Sequence, residues 1–247
     1  MIPLKTDSEV ELMRESALIL RKALLTVGEL VKPGITTAEL DRTAEEFIRS
    51  NGGEPGFKGY QGFPATICAS VNEEVVHGIP GPRELKEGDI IGIDCGVIKN
   101  GYYSDSTRSF AVGQISPEAE RLMKTTKEAL EIGVDKVRPG NKISDISHAI
   151  QTHAEGNGYS VVKQLTGHGV GRELHENPQI PNFGPPGKGP VIKTGMVFAI
   201  EPMLNEGTED IMTLKDGWTI VTRDGRLSCH FEDTVVATDG KPEVLTK

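Results

Sequence analysis

Asp94, Asp105, Glu201 and Glu232 each lie beside an apolar run, and His168 sits among glycines in Gly167-His168-Gly169-Val170-Gly171. A carboxylate buried beside a strand's apolar residues is costly unless it is paired. Four of them in one small volume cannot all ionise without cations. Bound divalent ions resolve that conflict. Oxygen ligands suit Mn²⁺, Fe²⁺ or Mg²⁺, and an added imidazole shifts the preference toward Mn²⁺, Fe²⁺, Co²⁺ or Zn²⁺. Carboxylates also bridge two ions about 3.5–4 Å apart, the usual spacing of two-metal sites. The chemistry these residue types point to is metal-assisted hydrolysis. Glycines on both sides of His168 let its backbone approach closely, which suits a ligand held from a tight strand or turn.

The other histidines sort unevenly. His77 ends an apolar run in Val75-Val76-His77-Gly78-Ile79-Pro80, and His175 follows His168 by seven residues. Taken alone, either one, like His168, is as readily a satisfied core histidine as a functional one. His148 and His153 lie five apart on an expected helix, do not share a face, and read as solvated or partly packed. Alternation puts His230 on the Glu232 side of a strand, where packing is the favoured role. Several other motifs fail. His175-Glu176 is no zinc-protease helix, because Gln179 stands where the second histidine belongs. Gly167-x-Gly169-x-Gly171 does not open a helix, so it is no dinucleotide fingerprint. No Gly-x-Ser-x-Gly elbow occurs.

These residues need elements to hold them. Ser8 with Glu11 forms a capping-box pattern before a helix that fades near Lys32-Pro33-Gly34. Thr36 with Glu39 repeats the pattern, and a second helix is expected to about Asn51-Gly52. Strands are expected at 66–71, 90–98 and 102–112, with Lys99-Asn100-Gly101 as a hairpin turn. Ser116-Pro117 starts a third helix, and a fourth spans about Ser144 to Gly156. The order helix, helix, strands therefore occurs twice. Val31-Lys32-Pro33-Gly34 is echoed by Val137-Arg138-Pro139-Gly140, and the run at 86–94 by the run at 193–201. The echo makes Asp94 equivalent to Glu201, and Asp105 to Glu232. Two halves, roughly 1–115 and 116–247 of a single catalytic domain 1–247, would bring the four carboxylates together at a pseudo-twofold axis.

Bulk properties narrow the class. The chain has 247 residues, 36% of them hydrophobic, enough for a substantial core. The formal charge of -9, with no long basic run, argues against nucleic acid as substrate. Cys68, Cys95 and Cys229 cannot all pair and read as reduced thiols. No signal peptide and no membrane-length apolar run is present. A soluble cytoplasmic protein is expected.

The chain resembles the bacterial methionine aminopeptidases of type I. The resemblance runs nearly end to end and rests on VNEEVVHGIP at 71–80, IDCGVIKNGYYSDST at 93–107, GHGVGRELHENP at 167–178, IEPM at 200–203, DGWT at 216–219 and HFEDT at 230–234. It implies the pita-bread fold, an α/β (α+β) arrangement with antiparallel sheet at the centre and helices outside. It implies two divalent metal ions (Co, Mn, Fe, Zn or Ni), with Asp105 and Glu232 shared, Asp94 on one ion, and His168 with Glu201 on the other. By the same resemblance, His77 and His175 flank the scissile amide and Glu201 carries a proton. Tyr60, Phe63, Cys68 and Trp218 match the pocket for the first side chain. Phe57 stands there where some relatives carry Cys, and Leu174 where some carry Phe. Leu165 replaces an aromatic found in some relatives. The implied activity is removal of the N-terminal methionine from nascent chains, favouring a small second residue, by a monomer acting on polypeptide N-termini emerging at the ribosome. Prolidases and aminopeptidase P are the nearest rivals. They usually carry an added N-terminal domain, whereas here the catalytic pattern begins near residue 1. A metal-free binding module on the same scaffold is the rival from another class, and such relatives tend to lose ligands.

Overall fold

The computed structural model describes residues 2–247. Helix α1, Asp7–Gly28, is capped by Thr6, whose side chain accepts from the Glu9 N–H while Glu9 reaches back to the Thr6 N–H. The cap is therefore two residues earlier than the Ser8–Glu11 pattern indicated. Both pairs have the required spacing, and the earlier one is the pair that closes. Val10, Met13, Ala17, Leu20 and Leu24 recur at three and four residues along α1 and are buried. Helix α2, Thr37–Ser50, starts from the expected Thr36–Glu39 capping box. Helix α3, Pro117–Asp135, starts with the Ser116 side chain accepting from the Ala119 N–H and with Pro117 in its first turn. Helix α4, Ile143–Gly156, begins one residue before the expected start. There the Asp145 carboxylate accepts the Lys142 N–H at 2.8 Å.

Two apolar clusters seat these helix pairs on antiparallel sheets. Leu20, Leu24, Leu40 and Ile48 from α1 and α2 pack with Ile67, Ile91, Ile93 and Val97. Leu122, Leu130, Ile146 and Ile150 from α3 and α4 pack with Phe198, Ile200 and Val235. Each fully buried aliphatic side chain of this kind contributes about 1.5–3 kcal/mol. The strands form a four-stranded sheet, a five-stranded sheet and two three-stranded sheets, all with antiparallel pairing. Antiparallel strands at the centre with helices outside are the arrangement expected.

The long hairpin Ile90–Lys99 and Tyr102–Ala111 anchors the first half. Its turn is Asn100-Gly101, with φ of 52° and 77° at the two positions, the left-handed pair that a two-residue type I′ loop requires. Asp94 faces Thr107 across this hairpin, and Asp105 lies two residues along on the same face. In the second half, Val197–Ile200 pairs with Asp233–Val236, so that Glu201 and Glu232 both lie just beyond the Ile200–Asp233 pair. The two sheets meet at the Thr107–Glu232 backbone, where each N–H donates to the other's carbonyl at 3.3 and 3.1 Å. Thr234 ties the same seam by donating its hydroxyl to the Asp105 carbonyl at 2.7 Å. Helices outside and antiparallel strands inside thus deliver four carboxylates to one seam.

Candidate active site

The seam opens into a cavity of about 160 Å³, lined by Asp94, Asp105, His168, Glu201 and Glu232 together with His77, His175, Phe57, Tyr60, Phe63, Cys68, Leu174 and Trp218. Every residue picked from the sequence for the site is therefore brought to one place. Asp105, His168 and Glu232 form its tightest group, each offering a ligand atom within 4.8 Å of the others. His168 Nε2 lies 3.6 Å from Asp105 Oδ2 and 3.6 Å from Glu201 Oε1. Its other nitrogen, Nδ1, is 2.9 Å from the Gly169 carbonyl. A carbonyl only accepts, so Nδ1 carries the proton and Nε2 turns a lone pair toward the carboxylates. That is the arrangement metal-ligating histidines use. Gly167 lets the strand come this close, because a Cβ there would sit 2.5 Å from the Ala199 carbonyl oxygen.

The electrostatics describe a cluster short of positive charge. Burial pushes the Asp94 carboxyl up to about 7. Burial, then the charges of Asp94 and Glu201, push Asp105 well above the carboxylate range. Burial does the same to Glu201 and Glu232, reinforced in each case by neighbouring carboxylates. Burial, and then the neighbouring His175, lower His168 to about 4. No lysine or arginine lines the cavity. Asp94 Oδ1, Asp105 Oδ1 and Glu232 Oε1 are buried without any hydrogen-bond partner. Orphaned anionic oxygens converging on one neutral imidazole lone pair are what a cation site requires before its cation arrives. The donor set, four carboxylates and one imidazole, fits divalent transition ions.

This sets a pH prediction for the metal-free protein. Asp94 sits at about 7 in the fold against an ordinary value of 3.8. A raised folded-state value stabilises fully below the unfolded value and is lost as pH rises through the folded one. The metal-free chain should therefore melt at a lower temperature near pH 8 than near pH 5, and divalent ions added near pH 8 should reverse the loss. Surface acids held low by hydrogen bonds, such as Glu9 at about 2, titrate below this window. The buried histidines His77, His168, His175 and His230, all lowered by burial, oppose the trend, but only below their ordinary value of 6.5, whereas Asp94, Asp105, Glu201 and Glu232 are all raised. Calorimetry after chelation measures it, and a melting temperature that rises from about pH 5 to about pH 8 would contradict it.

His175 and His77 flank the acids. The His175 ring lies 4.3 Å from the His168 ring, and its Nδ1 is 2.7 Å from the Tyr60 hydroxyl. His77 has a left-handed backbone, φ 59°, and its ring is edge-on to Trp218 at 6.4 Å. Burial lowers both histidines, with His175 adding to the effect on His77. Next to them, Phe57, Phe63, Cys68 and Leu174 form a buried apolar cluster, with Tyr60 and Trp218 packed against it. Phe63 and Trp218 meet edge to face at 5.1 Å. Leu165 does not line this cavity and packs instead against the cluster of Val75, Val76, Val162, Met203 and Ile211. It therefore does not shape the pocket wall. His148 is exposed and His153 lies near Glu128, away from the site.

Two features were missed from sequence. Lys5 Nζ contacts Glu176 Oε2 at 2.6 Å in a nearly buried pair, and Glu176 also accepts the Arg172 N–H at 2.8 Å. Together they fix the turn that carries His175. No local spacing signals a partner 171 residues away. His230 is buried and faces Glu201, with Nε2 3.9 Å from Oε2. Strand alternation carried that signal, although packing was the role it was given.

A family model described as metallopeptidase family M24 matches residues 11–239. The chain is 54% identical over 246 residues to a methionine aminopeptidase of Clostridium perfringens, covering 100% of this chain and 99% of that one. A solved methionine aminopeptidase from Rickettsia prowazekii superposes with a TM-score of 0.99 at 42% identity, covering 100% of both chains. A prolidase from Pyrococcus furiosus superposes less closely, with a TM-score of 0.80 at 26% identity over 99% of this chain and 65% of that one. The carboxylate seam and the apolar pocket beside it thus sit in a pita-bread fold, and the chain belongs to metallopeptidase family M24, on its methionine aminopeptidase branch.

Proposed function

We infer that this chain removes the N-terminal methionine from polypeptides by hydrolysing the first peptide bond. The observation that carries the reading is the juxtaposition of the carboxylate–histidine cluster with one apolar, side-chain-sized pocket. Asp94, Asp105, His168, Glu201 and Glu232 would hold the divalent ions, two in our reading. Asp105, His168 and Glu232 support the reading most directly, each offering a ligand atom within 4.8 Å of the others. The set accepts Mn²⁺, Fe²⁺, Co²⁺, Zn²⁺ or Ni²⁺. Such ions, when bound, lower the pKa of water and polarise a carbonyl.

The chain's own groups do the rest. Phe57, Phe63, Cys68, Leu174 and Trp218 take the methionine side chain and exclude water around it. His175 donates to the carbonyl oxygen of that residue as it gains charge. Tyr60 can donate to His175 Nδ1, which leaves the proton on Nε2, the nitrogen free to face substrate. His77 addresses the scissile amide from the other side. Glu201 takes a proton on its carboxylate and returns it to the leaving amine. A small second residue passes most easily between His77 and His175.

Every residue assigned a role here lines a cavity of this one chain, and we take the monomer as the active unit. Both halves contribute, Asp94 and Asp105 from the first and His168, Glu201 and Glu232 from the second, which supports one catalytic domain over 1–247. No helix among the described residues is long and apolar enough to cross a membrane. N-termini of nascent chains in the cytoplasm, reached at the ribosome, are the substrates we assign.

A peptide panel tests this. Met-Ala and Met-Gly peptides should be cleaved at least about 100-fold better, in kcat/KM, than peptides with a charged first residue, a difference of about 2.7 kcal/mol. Peptides with proline second and no methionine first should be poor substrates. Preference for those peptides would favour a prolidase-type activity instead.

A further inference from the structure

His230 is a buried titratable side chain beside the site that the mechanism above leaves without a task. It is 5% exposed and ends the short strand Ser228–His230. Its backbone is fixed on two sides. Met203 pairs with it across the strand, and the Ser109 hydroxyl donates to its carbonyl at 2.7 Å. Its Nε2 is buried without any hydrogen-bond partner. The nearest anionic atom to that nitrogen is Glu201 Oε2 at 3.9 Å, while the other oxygen of the same carboxylate, Oε1, faces His168 at 3.6 Å. Glu201 therefore lies between two imidazoles, one per oxygen. His230 does not line the cavity, so it reaches neither substrate nor water directly.

We propose that His230 is a positioning residue whose Nε2–H donates to Glu201 Oε2 and fixes the plane of that carboxylate. This rests on the reading of Glu201 as ligand and proton carrier. Unlike His168, whose Nδ1 proton is held by the Gly169 carbonyl, His230 has an Nε2 that faces a carboxylate oxygen, and we place its proton there. The present gap closes by a small rotation of Glu201, whose own burial is incomplete. Until it closes, a buried donor goes unsatisfied, which is destabilising. The arrangement makes the protein less stable without metal and better ordered with it. Partners of ligating carboxylates commonly change metal affinity or activity by about 10–100-fold when removed.

The test compares the wild type, His230→Leu and His230→Gln as purified full-length chains. Leucine fills the space and removes the donor, and glutamine keeps an N–H at similar reach. Methionine release from Met-Ala-Ser with Mn²⁺, Mn²⁺ affinity by calorimetry, and melting of the chelated protein are each measured. The leucine variant should lose about 10–100-fold in kcat, with KM within about two-fold. It should bind Mn²⁺ more weakly. Without metal it should melt about 2–4 °C higher, because the unsatisfied donor is gone. The glutamine variant should recover most of kcat and of Mn²⁺ affinity. Wild-type kcat in the leucine variant overturns the proposal. So does a glutamine variant as poor as leucine, which would make His230 a direct ligand or a packing group. A lower metal-free melting temperature for leucine also overturns it. A wild-type chain that cleaves no methionyl peptide would sink the functional reading instead, and the affinity and melting comparisons would still decide the role of His230.

Discussion

Glu232→Ala is expected to cut kcat/KM by about 10³-fold or more, roughly 4 kcal/mol, and to strip metal from the protein. Glu232 is 2% exposed and groups with Asp105 and His168. Its Oε2 accepts from Thr107 at 3.0 Å, which leaves Oε1 without a protein partner. Losing this proposed ligand would leave the Asp105–His168 group short of a donor. The same substitution has an opposite effect on stability. It removes one of four clustered carboxylates whose values are raised by burial and by one another's charge, so the chelated variant should melt above the chelated wild type. Metal analysis, kinetics and calorimetry on one preparation check both signs. Retained metal with normal turnover would mean that Glu232 is not a ligand. Glu232→Gln keeps the shape and separates the loss of charge from the loss of volume.

His175→Ala gives the second large effect, with a different signature. Turnover should fall about 10²–10³-fold, or roughly 3–4 kcal/mol, the cost of losing one donor to a developing oxyanion. Bound metal should stay at the wild-type level, because His175 stands off the acids and bonds Tyr60 at 2.7 Å instead. KM should change little, since that donor acts mainly as charge builds. Metal content measured beside kcat decides the role. A parallel loss of metal would make His175 a ligand and would reassign the flanking histidines.

Much of this arrangement was legible in the chain, and the reasons are specific. The Asn100-Gly101 turn fixed the register of the long hairpin, and that register put Asp94 and Asp105 on one face. Glycines around His168 signalled a close backbone approach, and the structure shows Gly167 against the Ala199 carbonyl. The internal echo paired the acids before any coordinates did. The first helix cap was misplaced because Thr6–Glu9 and Ser8–Glu11 share one spacing, and only the closed hydrogen bonds choose between them. The Lys5–Glu176 pair could not be read, because a salt bridge between distant segments leaves no periodic trace. His230 was half read. Alternation gave its side of the strand, but not the tertiary neighbour Glu201, which arrives from another strand end. Local rules thus found the residues that line the cavity, and missed those that hold them through long-range contacts.

The central claim is that five side chains hold divalent ions that are required to cleave the bond after an N-terminal methionine. The most direct test strips the purified chain with a chelator and titrates it with Mn²⁺ while free methionine released from Met-Ala-Ser is measured. The stripped protein should release no methionine and recover full release once metal is restored, with protons freed on binding as Asp94, raised by burial to about 7, gives up its share. Methionine release that persists after chelation, or that no divalent ion restores, would contradict it.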